Sequence, residues 1–377
     1  MRQKIKDILK IFKLNRVIRY LRKIFYFLFD FIGDILFLRF LKKQKKIEKK
    51  NIKKILVIRL DRIGDLILTI PAIRAIRETY PGADIDLLIK EYTLPLVKNN
   101  PDIDKIIIYK KQDLKKEYDL AIAFHPGIKE NYLTYKSGAQ HRIGYKGEGG
   151  SFFLTKRLKD DRKKRIRHEV ESALEIANVA GCKTDKKKLE LNVDEKAKEF
   201  ANKFFSKNKL TGKYPVVLVH PGARQRYIKW DKEKFARVSD KLIDERNASV
   251  IILGGPNEKR LVNEVSEIMA RKPVKAVDLD LNKVISITKK CDLFIGNSTG
   301  PMHIAAGLGV PVVAVFGSRH PLDSAEEWGP WSENSVVVNK DPGCRRCHPG
   351  DCSDYKCMKQ VTVKDVYKQC IKLLSNE

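Results

Sequence analysis

The 377-residue chain is 43% hydrophobic with 22 glycines and 15 prolines, enough apolar material for two ordinary domains and no bias toward a disordered or fibrous chain. Its formal net charge is +29, and residues 1–54 hold 18 Lys/Arg against four Asp/Glu. The charge spread over the remainder fits either an anionic partner or a solvated basic surface; without aromatic–basic interleaving or a recognisable motif, nucleic acid is not the expected partner.

In chain order, the first feature is Ile24–Lys46, an apolar stretch interrupted by Asp30, Asp34 and Arg39. Each of these is costly at a bilayer centre. Asp30 and Asp34 fall on one helical face, and Phe27, Phe31, Ile35 and Leu38 on another. The pattern predicts an amphipathic helix lying in a membrane surface, with flanking Lys/Arg drawn to anionic lipid. A helix packed on the body of the protein, or a true span, are the other readings. Lys42–Lys54 reads as a charged linker, so residues 1–51 form an arm. No leader with a clean apolar core and cleavage site is legible, and the seven cysteines read as reduced thiols of a cytoplasmic protein.

The body opens with Ile55–Leu60, a short, nearly continuous apolar run suited to a buried parallel strand. Leu66, Ile67, Ile70, Ile73 and Ile76 then recur at helical spacing, with Pro71 expected near the helix start or at a kink. Asp84–Ile89, Lys105–Tyr109 and Tyr118–Phe124 read as strands, His168–Ala180 and residues 195–210 as helices. A second alternation follows: strand Tyr214–Ala223, helix Lys232–Glu245, strand Ser249–Gly255, helix Glu258–Ala270, strand Cys291–Asn297, helix Pro301–Leu308 and strand Val310–Gly317. This β-α-β rhythm predicts an α/β protein of two Rossmann-like halves, residues 52–210 and 211–340, joined by a hinge near 205–213 and followed by a cysteine-rich segment with a C-terminal helix, 341–377. Ligands of such sheets bind at the C-terminal ends of the strands.

The polar residues cluster at those ends. After the strand ending at Gly296 come Ser298, Thr299, Gly300, Pro301 and His303. Ser298 or Thr299 suits a helix cap and Pro301 the first turn. The free amides there favour an anion, Gly300 allows a phosphate close to the backbone, and His303 can donate to it. His220, Arg224, Arg226 and Lys229 give four cations in ten residues after another strand, as a phosphate site needs. Glu258, after a third, suits ribose hydroxyls. Across the gap, Asp65 beside Gly64 sits where a base reaches the cleft; helix capping is its alternative role. The sequence has no P-loop and no GxGxxG after the first strand, which argues against an ATPase and an ordinary dehydrogenase.

Together "ILVIRLDRIGDLILTIPAIRAIRETYP", "VLVHPGARQRYIKWDKEKFARVSDKL", "IILGGPNE" and "GNSTGPMHIAAGLGVPVVAVFG" resemble the lipopolysaccharide heptosyltransferase family, glycosyltransferase family 9. The resemblance covers most of residues 52–320 and implies a GT-B fold with the nucleotide sugar held mainly by the C-terminal half. It implies Asp65 as catalytic base, Lys229 at the diphosphate, Glu258 at the ribose, and Gly300 and His303 at the donor, in an inverting transfer that needs no metal. The implied partners are a nucleotide sugar, best matched by ADP-heptose, and a phosphorylated glycolipid acceptor at the inner face of the inner membrane. Where the family commonly has an Asp before Thr/Ser-Gly, this chain has Ser298, which leaves the sugar open.

Near the C-terminus, Cys344, Cys347, Cys352 and Cys357 form C-x2-C-x4-C-x4-C with His348 between. The spacing fits a structural zinc; reduced thiols, disulfides and an iron–sulfur centre are the alternatives.

Overall fold

The computed structural model describes residues 21–22, 24–36, 46–110, 114–161, 167–317, 319–320, 323–344, 347 and 352–375. Leu38, Arg39, residues 42–45 of the expected linker and His348 lie outside these residues.

A helix, α1, occupies residues 24–36. The first sheet is built from β1 (Lys54–Ile58), β2 (Asp84–Ile89), β3 (Lys105–Ile108), β4 (Leu120–Ala123), β5 (His141–Lys146) and β6 (Lys156–Lys159), with α2 (Ile63–Thr79), α3 (Ile128–Lys136) and α4 (Glu169–Asn178) between or after its strands. After α5 (Glu195–Lys207), the second sheet takes β7 (Val216–His220), β8 (Ser249–Leu253), β9 (Val274–Ala276), β10 (Leu293–Asn297), β11 (Val312–Val315) and β12 (Ser335–Val338). Its helices are α6 (Lys232–Arg246), α7 (Lys259–Ile268), α8 (Leu281–Lys289), α9 (Gly300–Gly307), α10 (Ala325–Trp328), α11 (Lys356–Gln360) and α12 (Val363–Leu374). The strand orders are β3-β2-β1-β4-β5-β6 and β12-β11-β10-β7-β8-β9, and every strand pair is parallel. Read from its first strand outward, the second sheet repeats the order of the first. Each chain path reverses direction beside its first strand, between β1 and β4 and between β7 and β10, and these two switch points open the crevices where ligands bind.

The all-apolar strands were legible because both faces are covered: Ile55, Leu56, Val57 and Ile58 are fully buried. One apolar cluster runs through both halves, carrying Ile67 and Ile76 of α2 together with Ile304 and Ala305 of α9. The small residues of α9 therefore press on α2 of the other half as well as on their own sheet: a Cβ on Gly307 would meet Leu191 at 3.0 Å and Ile67 at 3.5 Å. α5 packs on α8, where Lys290 donates to Asn202 at 2.7 Å.

One expectation needs correction, and one alternative left open by the sequence is realised. α2 runs unbroken through Pro71 from Ile63 to Thr79, since burial of both its flanks outweighs the one backbone hydrogen bond that proline removes. The arm helix packs on the body of the protein, one of the readings that the sequence leaves open. Asp30 is buried and accepts from the Ser151 amide (2.9 Å) and hydroxyl (3.0 Å), and Asp34 pairs with Arg157 at 2.7 Å. The acidic face thus points into the protein, and the apolar face points away from it. No helix among the described residues is long and apolar enough to cross a membrane.

Candidate active site

A cleft of about 850 Å³ lies between the halves, lined from both. Its walls come from the C-terminal ends of strands: Arg59 and Asp61 to Asp65 after β1, Lys90 and Tyr92 after β2, Phe124 and His125 after β4, Arg224, Gln225, Tyr227 and Ile228 after β7, and Ser298 to Pro301 with His303 after β10.

Asp65 is the third residue of α2. One carboxylate oxygen accepts from the Arg62 amide at 3.2 Å, a capping bond; the other lies 3.4 Å from the Arg59 guanidinium. Its side chain keeps 20% exposure, and it lines the cleft. The capping role and the cleft-facing role are therefore both present in one residue.

Arg59 was not singled out by its sequence position, yet it organises this wall. It is 3% exposed. It donates to the Phe124 carbonyl (2.7 Å), to Glu169 (2.8 Å) and to the Asp65 carbonyl (3.3 Å), and it lies 3.3 Å from Asp61. Burial works against its charge, but Asp61, Glu169 and Asp65 more than offset that and hold the guanidinium above its ordinary value. Asp61 reaches on to His125 at 3.4 Å. Glu169 is 110 residues away in sequence, so only the fold brings it here.

On the facing wall, β10 ends in the buried Asn297. Its amide donates to the carbonyls of Pro221 (3.0 Å) and Gly222 (3.2 Å), and its oxygen accepts from the Trp230 amide at 3.0 Å. One side chain thereby fixes the loops after β7 and β10 at their switch point. Ser298, Thr299 and Gly300 are partly exposed in the cleft, and α9 starts at Gly300 with Pro301 in its first turn. The space over Gly300 is taken by Ile63 of the opposite half, which a Cβ would meet at 3.1 Å. The glycine thus serves the contact between the halves, beyond the expected approach of a phosphate. His303 packs against Gly64, where a Cβ would lie 2.6 Å from its ring. Burial, aided by His168, pushes the His303 imidazole down to about 3, so it is neutral near pH 7 and offers a single N–H. Its Nδ1 has no hydrogen-bond partner among the described residues.

Glu258 meets the β7 end through His220: Nε2 lies 3.0 Å from the carboxylate, and Nδ1 lies 3.3 Å from the Thr299 hydroxyl. The Gly255 amide also donates to Glu258 at 2.7 Å. Burial opposes the charge, yet the His220 bond, the Gly255 amide and the nearby Lys229 hold the Glu258 carboxyl below its usual range. Glu258, His220 and Thr299 are thus a connected chain, with Glu258 outside the cleft lining and Thr299 within it. Arg224 lines the cleft; Lys229 and Arg226 are exposed and do not. Lys229 closes the short 3-10 turn Arg226–Ile228 just before the buried Trp230. The cleft further holds Asp323, whose carboxyl burial raises and which accepts from the Tyr227 hydroxyl at 3.0 Å; neither residue carried a sequence signal.

None of the four clustered cysteines is among the residues lining the cleft. Cys344 is exposed, and Cys347, Cys352 and Cys357 are half-buried. Among the described residues, no three His, Cys, Asp or Glu side chains gather closely enough to hold a metal ion.

Two parallel sheets of identical strand order face each other across one cleft, with an acid on one wall and a helix N-terminus on the other, which is the arrangement of a GT-B fold. Residues 108–357 match the model of glycosyltransferase family 9 (heptosyltransferase), and the chain belongs to that family. It is 29% identical to lipooligosaccharide heptosyltransferase 2 of Campylobacter jejuni over 334 residues, 83% of this chain and 96% of that protein. In fold it is similar to the family 9 glycosyltransferase of Veillonella parvula, with a TM-score of 0.73, 24% identity, and coverage of 86% of this chain and 98% of the other. It is also similar to the E. coli ADP-heptose lps heptosyltransferase II, with a TM-score of 0.70, 23% identity, and coverage of 85% and 98%.

Proposed function

We propose that this enzyme transfers heptose from ADP-heptose to a lipopolysaccharide core or related phosphorylated glycolipid, with inversion at the anomeric carbon. The observation that carries this reading is the placement of Asp65 on the cleft wall opposite the first turn of α9. The donor half holds the nucleotide sugar. Its diphosphate meets the free amides at Thr299–Gly300, the Ser298 hydroxyl and the Arg224 guanidinium. Glu258, held by His220, keeps one carboxylate oxygen for the ribose, and Lys229 stands beside it at the rim.

The chemical step is a single displacement. Asp65 accepts the proton of an acceptor hydroxyl as that oxygen bonds to the anomeric carbon. The bond from that carbon to the diphosphate oxygen breaks, and its electron pair leaves with the nucleotide. The charge appearing there is met by the α9 amides and by the N–H of a neutral His303. No residue of the cleft is assigned to a metal in this scheme. The C-x2-C-x4-C-x4-C spacing of the four cysteines is the support for a structural zinc; metal analysis of the purified protein checks it. We place the enzyme in the cytoplasm, peripherally on the inner membrane, where its acceptor would be assembled.

The test is a thermal-shift panel of ADP-, UDP-, GDP- and CMP-sugars followed by turnover with the stabilising donor. Selective stabilisation by ADP-heptose is expected. Stabilisation by another nucleotide sugar alone would overturn the donor assignment.

A further inference from the structure

The arm helix presents the wrong face to water. Among the described residues, the polar contacts it makes beyond its own helix are directed at the first half: Asp30 to Ser151, Asp34 to Arg157, and Arg22 to Glu148 at 3.6 Å. Gly33 lets it lie flat on Phe152, whose ring a Cβ would strike at 2.1 Å, and Phe29 meets the same ring edge-on at 5.3 Å. The outer face is the apolar one. Phe27, Leu28, Phe31, Ile32, Ile35 and Leu36 are each between 49% and 70% exposed, and Arg22 is the one polar residue among the exposed positions of 21–36 that are described. Scattered exposed apolar residues are ordinary, but a contiguous face of this size marks an interaction site. The aromatic cluster continues from Phe152 through Phe153 to the exposed Tyr132, a residue type that favours the membrane–water boundary.

Deepening the membrane part of the proposed function, we infer that α1 is a docking plane for an anionic lipid surface, held on the acceptor half by Asp30 and Asp34 so that its apolar side faces outward beside the cleft mouth. Charge selects the occupant. The sequence on either side of the helix holds nine Lys/Arg against one acidic residue, in residues 1–23 and again in 37–54. Such flanks attract anionic headgroups and repel a second copy of the same arm. Position adds to this: Glu148, the partner of Arg22, lines the cleft, so a membrane under α1 lies next to the acceptor side of the site.

The test uses the full chain and vesicles alone, so it is independent of donor and acceptor. The protein is floated with vesicles of phosphatidylcholine, with or without 30% phosphatidylglycerol. Binding to the anionic vesicles is expected, weakened by salt. The variant Phe27→Gln/Phe31→Gln/Leu36→Gln, which keeps helix-forming residues, is expected to bind more than about a hundredfold less tightly. In a separate Phe31→Trp variant, the added emission is expected to be quenched by bromolipids. No flotation of the wild type, undiminished binding by the triple variant, or no quenching at position 31 would each overturn the inference. So would sedimentation showing a homodimer that the triple variant dissolves, which would assign the face to a second copy. If ADP-heptose proves not to be the donor while flotation behaves as described, the proposed reaction falls and the docking plane stands.

Discussion

Replacing His303 by Gln isolates the energetic consequence of burying an imidazole at the junction of the two halves. The ring is 4% exposed. Its pKa falls from 6.5 to about 3 because burial penalises the cation. Between those values the unfolded chain binds a proton that the folded chain refuses. Stability from this group is therefore complete above the unfolded value and is lost as pH drops through the window. At pH 5 the opened gap is about 1.5 units, or about 2 kcal/mol. Glutamine keeps an N–H donor of similar reach but does not titrate. Urea unfolding at pH 7 and pH 5 should thus show the wild type losing about 2 kcal/mol more than His303→Gln on acidification. Both proteins retain the buried His168, so its contribution cancels. Equal losses in the two proteins would refute the claim that His303 is held neutral by its surroundings.

The Asp65→Asn variant should lower kcat by about a thousandfold while calorimetric binding of ADP stays within a factor of two or so. Retained turnover would remove Asp65 from its proposed role. Arg59→Met should destabilise the fold by about 3–5 kcal/mol, measured by chemical denaturation, because it leaves the buried Glu169 beside Asp61 without their cation. Gly222→Ala should weaken ADP binding by about tenfold, since a Cβ there would lie 2.0 Å from Glu258 Oε1 and force that side chain off His220. Unchanged affinity would show that Glu258 does not serve the nucleotide.

The strands buried on both faces were readable because nothing but apolar residues fits there; β1 and β7 are buried throughout or nearly so. The edges were not. β6 reads Lys-Arg-Leu-Lys and β9 is three residues long, so neither has the apolar run that marks a strand. β5, with His141 and Arg142, hid for the same reason, and α3 and α8 are too short for their periodicity to stand out. In the site, the residues next to strand ends were legible as a group because chain topology delivers them there. Arg59 lies inside the first matching segment but carried no signal of its role, which depends on Glu169 arriving from α4. Tyr227 and Asp323 meet across 96 residues, a distance that no local pattern reports. The arm shows the converse: periodicity found both faces of α1, but which one meets water depends on Ser151 and Arg157.

Arg59 grips a carbonyl after β4, a carboxylate on α4 and both ends of Asp65 at once. The proposed base therefore travels with its sheet as one solid piece and has no freedom to be re-aimed. Any retuning toward a differently shaped alcohol has to happen in the segments that this guanidinium leaves alone. The loops after β2 and β5 qualify, since Lys90, Tyr92 and Glu148 border the same space. Variation in those loops can change what enters while the proton-accepting geometry stays constant.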